Sequence, residues 1–301
     1  MRAVRRQKRR ILRTQKTFIK SFEIADSLYV TMKQVHTERK GSWMRIRHVK
    51  GAEVVVAADP LVIQSPAEWK GRWKQAVFES AAPLYLEIGM GMGTFIRTHA
   101  RLHPDISYLG FEINTTVLYK ALKRYRAELG QEDSKSNAVV ESLAEQAAAA
   151  GQQFAAEGTC GAAQNTALMQ GNAQGNLRFI RSDARFLTDY FGKAEVDRIY
   201  LNFSDPWPKD KNANKRLTSP QFLQRYGEIL KPEGVIEFKT DNRGLFDYSV
   251  ETIPAAGWRI QAISYDLHRD EAMNAGNVMT EYEKKFSEKG NPIYKLIAGR
   301  G

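Results

Sequence analysis

The stretch Arg198-Ile199-Tyr200-Leu201-Asn202-Phe203-Ser204-Asp205-Pro206-Trp207-Pro208-Lys209 carries the most specific chemistry in the chain. Its apolar half, Arg198–Phe203, reads as a buried strand that delivers Asp205 to a sheet edge. Pro206 and Pro208 fix the backbone on either side of Trp207. A carboxylate beside a rigidly held aromatic can grip a flat base. Lys209, Lys211, Lys215 and Arg216 follow within eight residues. A cationic patch with an aromatic in it suits RNA phosphates and an unstacked base. A solvated loop is the plainer alternative.

A second constellation begins at Leu84-Tyr85-Leu86-Glu87-Ile88-Gly89-Met90-Gly91-Met92-Gly93, a strand running into a glycine loop. Glycines at 89, 91 and 93 let the backbone approach a ligand. The dinucleotide fingerprint G-x-G-x-x-G would need glycine where Thr94 stands. The acid Glu87, just before the loop, suits S-adenosylmethionine, a cation with a sulfonium and an amino group, better than a pyrophosphate. Glu112, closing the next strand in Gly110-Phe111-Glu112-Ile113, is placed to take both ribose hydroxyls of either cofactor. Asp183, after a third strand, could accept from an adenine amino group. Each acid has a structural alternative: Glu87 could pair with an arginine, and Asp183 could cap a helix.

The elements that must position these residues follow from the hydrophobic pattern. Strands are expected at Leu84–Ile88, Ser107–Ile113, Leu177–Ile180, Arg198–Phe203 and Val235–Lys239, the last entered through a Pro232-Glu233-Gly234 turn. Helices are expected at Thr94–Leu102, Thr115–Leu129 and Phe222–Leu230. Repeated strand–helix units predict an open, mostly parallel α/β sheet, which binds ligands at the carboxyl ends of its strands. Residues 130–175 break the pattern: they are rich in Ala, Gln, Gly and Asn, and read as a low-complexity insertion.

Charge is unevenly spread. The 301 residues carry a formal net +11, yet residues 1–43 alone carry +9 and the other 258 only +2. Residues 1–43 are therefore read as a basic extension, either a solvated arm for RNA phosphates or a leader upstream of Met44. Residues 44–301 are expected to form one domain, the insertion included. The single cysteine, Cys160, excludes an internal disulfide and a Cys-rich metal site. No apolar run approaches the roughly 18 to 20 residues of a membrane span. The expectation is a cytoplasmic, metal-independent protein.

Together these motifs resemble the bacterial tRNA (guanine-N7-)-methyltransferases. The resemblance rests on Asn202–Lys209 with Lys215-Arg216-Leu217-Thr218, on Phe238-Lys239-Thr240-Asp241-Asn242, and on Thr280-Glu281-Tyr282-Glu283-Lys284-Lys285-Phe286. It runs from about Met44 to Leu296, interrupted by the insertion. It implies a Rossmann-like class I methyltransferase fold, a seven-stranded, mostly parallel sheet with helices on both faces. It implies S-adenosylmethionine as cofactor, tRNA as partner, and methyl transfer to N7 of guanosine at variable-loop position 46. By the same resemblance Glu87, Gly89, Gly91, Gly93, Glu112, Ile113, Asp183, Ala184 and Asp205 would bind the cofactor. Asp205 would also be the catalytic acid residue, and Lys209, Asp241, Thr280, Glu281, Tyr282 and Glu283 would hold the substrate. Asn212 and Asn214 depart from the family, which usually has His and a further Lys there.

Three other readings account for less of the sequence. A nicotinamide oxidoreductase fails at Thr94 and lacks an acid–base pair on a suitable helix; Tyr119 and Lys123 have the spacing but lie too early in the fold. A binding module that uses only the basic arm does not account for acids at every inferred cofactor position. A methyltransferase for small molecules or proteins leaves the Lys209–Arg216 patch unused.

Overall fold

The computed structural model describes residues 47–130 and 175–300. The basic extension 1–43 and nearly all of the low-complexity segment lie outside the described residues. Grouped by contacts, the chain divides at Arg47/His48, and His48–Gly301 forms one unit.

Seven strands, β1 (Leu84–Ile88), β2 (Ser107–Phe111), β3 (Leu177–Ile180), β4 (Val196–Asn202), β5 (Leu230–Thr240), β6 (Trp258–Ser264) and β7 (Tyr294–Arg300), make a single sheet. Their order is β3-β2-β1-β4-β5-β7-β6. All pairs are parallel except those of β7, which lies antiparallel between β5 and β6. β2 and the edge strand β3 are buried along their whole length, which is why Ser107–Phe111 and Leu177–Ile180 read as continuous rather than alternating patterns. Chain order reverses between β1 and β4, the place where open α/β sheets leave a crevice at their carboxyl edge.

Side-chain alternation along each strand feeds two cores. Leu84, Leu86, Ile88, Ile199, Leu201, Ile236 and Phe238 meet helices α4 (Pro220–Ile229) and α5 (Arg243–Ala255) on one face. Tyr108, Phe179 and Tyr200 meet α2 (Thr94–Leu102) and α3 (Thr115–Glu128) on the other, where α1 (Ala52–Ala58) also packs. Helices therefore cover both faces, as the class I fold requires.

Caps start the helices just after the strand ends. The Asn114 side chain accepts from Val117 N at 3.1 Å to open α3, and Asn242 accepts from Leu245 N at 2.8 Å to open α5. Pro220 opens α4. One expectation needs correcting: Pro232–Gly234 does not precede β5 but bulges from it. The ladder jumps from Val196↔Leu230 to Arg198↔Val235, so the turn is inserted between two paired stretches.

Candidate active site

Five acids sit just beyond or within the last residues of five adjacent strands: Glu87 on β1, Glu112 after β2, Asp183 after β3, Asp205 after β4 and Asp241 after β5. The strand order sets them along one edge. A small polar cavity of about 140 Å³, lined by His99, Arg198, Tyr200, Glu237 and Lys295 among others, involves none of the five.

The glycine loop leaves β1 with Gly89 and Gly91 at φ 74° and 58°. These values cost a side-chain-bearing residue dearly. Gly89 N and Met90 N both donate to the Phe111 carbonyl at 2.9 Å, binding the loop to the end of β2. Glu112 completes the link, accepting from Gly91 N at 3.1 Å through Oε2 and from Asn114 N at 2.8 Å through Oε1. The residue expected to hold ribose hydroxyls thus also shapes the glycine loop. Ile113 beside it is half-buried, and Ala184 is buried.

Glu87 is turned inward and 1% exposed. Its partner is an amide rather than an arginine: Asn202 Nδ2 donates to Oε1 at 2.8 Å. Oε2 has no hydrogen-bond partner among the described residues, nor does Asn202 Oδ1. Burial pushes the carboxyl up to about 7, with Asn202 and the nearby Lys239 cation opposing the rise. Asp183 adopts the capping alternative, accepting from Arg185 N at 2.8 Å while pairing with the Arg185 guanidinium at 3.0 Å.

Asp205 is half-buried between two strained residues, Phe203 at φ 52° and Trp207 at φ 42°. Positive φ in bulky side chains persists only where the surroundings impose it, and such outliers cluster at functional sites. Phe203 N is tied to the Lys239 carbonyl on β5 at 2.8 Å. Lys215 Nζ lies 4.8 Å from the centroid of the Trp207 ring. Lys209 is exposed, whereas Arg216 is buried, so the four cations do not form one solvent-facing patch. Asn212 and Asn214 fall in the 3-10 turn Asp210–Lys215. There the Asn214 carbonyl accepts from Ser219 Oγ at 3.1 Å.

The segment Thr280–Glu283 enters helix α6 (Glu281–Ser287) beside this loop. Thr280 Oγ1 caps the helix by accepting from Glu283 N at 2.9 Å. Glu281 pairs with Arg124 of α3. Tyr282 stacks near Phe203, with ring centroids 6.4 Å apart. Glu283 faces the other way and is fully buried. It accepts from Lys239 Nζ at 2.7 Å, Asn277 Nδ2 at 2.6 Å and His268 Nε2 at 3.0 Å. The Lys239 cation beside it holds its carboxyl below the ordinary range against the cost of burial. The four residues therefore do not share one surface. Asp241 is half-buried, and desolvation raises its carboxyl. Asn202 and Lys239 lie inside sequence motifs that point to no task for either. Nothing local to either residue indicates that its partner is 115 or 44 positions away.

A methyltransferase family model, described as "Putative methyltransferase", matches residues 81–296. A tRNA (guanine-N(7)-)-methyltransferase of Lachnoclostridium phytofermentans is 38% identical over 257 residues, covering 85% of this chain and 99% of that protein. One from Limosilactobacillus reuteri is 40% identical over 256 residues, with 85% and 99% covered. The chain belongs to the tRNA (guanine-N7-)-methyltransferase family. A solved 16S rRNA methyltransferase, KamB, overlays with a TM-score of 0.46 at 12% identity, covering 75% of this chain and 91% of that one.

As a member of this family the chain uses S-adenosylmethionine, and the edge described above fits that group. Glu112 touches the glycine loop through Gly91 N, Glu87 lies on the strand that leads into it, and Asp183 follows β3, the strand beyond β2. Glu87 Oε2 is a buried polar atom with no hydrogen-bond partner among the described residues. Among the described residues there is no cluster of three or more His, Cys, Asp or Glu side chains suited to a metal. No described helix is long and apolar enough to cross a membrane.

Proposed function

We propose that this family member transfers a methyl group from S-adenosylmethionine to N7 of a guanosine in tRNA, at variable-loop position 46. The observation that carries the reading is the placement of Asp205. It follows β4, the strand that neighbours β1 and its glycine loop, and lies two residues beyond Phe203, on whose ring Tyr282 stacks. Bound S-adenosylmethionine supplies an electrophilic methyl on a sulfonium.

Guanine N7 carries an in-plane lone pair and no proton, so the residues here need supply no general base. They must align reacting atoms, and positioning of that kind is worth several kcal/mol, up to about 7–11. Glu87 and Glu112 hold the cofactor's amino end and ribose, Asp183 its adenine, with Gly89, Gly91, Gly93, Ile113 and Ala184 as backbone and walls. Asp205 accepts from the base's N1–H or exocyclic amine and stabilises the positive charge that the purine gains. Lys209, Asp241, Thr280, Glu281 and Tyr282 hold the nucleoside and its phosphates. Glu283 acts on them through the buried Lys239 pair. The partner is tRNA and the setting the cytoplasm.

The test is transfer of labelled methyl to bulk unmodified tRNA with nucleoside analysis, Asp205→Ala in parallel. Label in 7-methylguanosine from the intact protein alone is the expected result. Label in another nucleoside overturns the base assignment. No label despite cofactor binding overturns the tRNA reading.

A further inference from the structure

Arg216 belongs by sequence to a basic run, yet it is only 9% exposed. Its Nε donates to the carbonyls of Pro206 at 3.1 Å and Trp207 at 3.3 Å, and its Nη2 to the Trp207 carbonyl at 3.0 Å. Its guanidinium lies on the ring of Tyr248, 4.2 Å from the centroid. Its own N–H donates to the Ala213 carbonyl at 3.1 Å, which closes the turn it follows. The two carbonyls it holds are those of the residues immediately after Asp205.

Those carbonyls need holding. Trp207 sits at φ 42°, a conformation that its bulk disfavours, and Phe203 on the other side of Asp205 sits at φ 52°. The Phe203 end is fastened by β5 through the Lys239 carbonyl. The Trp207 end is fastened by Arg216. A planar guanidinium can fork to two carbonyls while its face stacks on an aromatic; an ammonium is a single point of donors with no face to stack.

We infer that Arg216 is a positioning residue: through the Pro206 and Trp207 carbonyls it fixes where the Asp205 carboxylate stands, and it does not contact RNA phosphate. The inference rests on the proposed catalytic task of Asp205.

The test is Arg216→Lys, which keeps the charge and removes the fork. The expected result is a kcat lower by roughly 10²-fold, the scale of a small misplacement of a catalytic group. The KM for tRNA, the salt dependence of tRNA affinity and the stoichiometry of S-adenosylmethionine binding stay unchanged. Tyr248→Leu, which removes only the stacking surface, shifts kcat the same way by less. Acrylamide quenching of Trp207, taken as the difference from a Trp207→Phe background, rises in both variants because the loop loosens. Wild-type kcat in Arg216→Lys overturns the inference. So does a raised KM with the salt slope reduced by about one charge in Arg216→Met, the mark of a phosphate contact. Should the intact protein form no 7-methylguanosine, the function reading fails. The Trp207 quenching then still decides whether Arg216 holds the loop.

Discussion

A carboxylate that is to hold a cation is most useful ionised, yet Glu87 is buried where its proton is released only near pH 7. The sign follows directly. The carboxyl is raised from 4.5 to about 7, so it stabilises the folded protein fully below pH 4.5, and that contribution is lost as pH rises through about 7. A bound cation reverses the preference by favouring the deprotonated form. Affinity for S-adenosylmethionine is therefore expected to rise with pH through about 7, and Glu87→Gln should weaken binding and flatten the rise. Calorimetric titration across that window checks both. Asp205, which is to act on the base, has a different signature. Asp205→Asn is expected to lower kcat by about 10²–10³-fold, the loss found when one preorganised charge-stabilising group is removed, while tRNA still binds. Single-turnover methyl transfer measures it.

At the scale of elements, the segment leading into α6 is docked by one buried ion pair. Lys239 Nζ, 3% exposed at its side chain, spends its three donors on Glu283 Oε2 at 2.7 Å, Asn277 Oδ1 at 3.0 Å and the Val278 carbonyl at 3.0 Å. Removing one member of such a pair leaves a buried, uncompensated charge. Glu283→Ala is thus expected to cost about 3–5 kcal/mol in denaturant unfolding. Glu283→Gln, whose amide oxygen can still accept from Lys239 while its NH2 replaces the other acceptor, should cost less than the alanine while raising the KM for tRNA as Tyr282 loses its seat on Phe203. Elements were largely legible from pattern. Leu84–Ile88, Thr94–Leu102 and Leu177–Ile180 coincide with their expected ends, because apolar runs there meet glycine or polar boundaries. β6 and β7 gave no comparable signal. Trp258–Ser264 is half-exposed and irregularly paired, and β7 takes its place only by reaching back to β5. The acids of the site were legible because each closes a strand. Their partners were not: whether Arg216 faces RNA or the Pro206 carbonyl depends on where Tyr248 of α5 lies, and no local pattern encodes that.

For the whole molecule, the uneven charge sets an expectation of its own. The residues placed at the site all lie between Glu87 and Glu283, whereas residues 1–43 hold +9 of the net +11. A protein lacking residues 1–43 is expected to keep its kcat. Any change should be confined to the salt dependence of tRNA affinity, read from binding measured at several ionic strengths. The position of β7 bears on something else, the order of synthesis. β5 ends at Thr240 and its neighbour β7 begins at Tyr294. At elongation rates of about 5–20 residues per second, the ribosome spends roughly 3 to 11 s between them. Throughout that interval the β5 edge that carries Lys239 stands without its partner strand, a template for wrong pairing. The nascent chain is thus most prone to aggregate when its catalytic strands are already made, and the sheet is sealed only when its latest-made strand threads between two earlier ones.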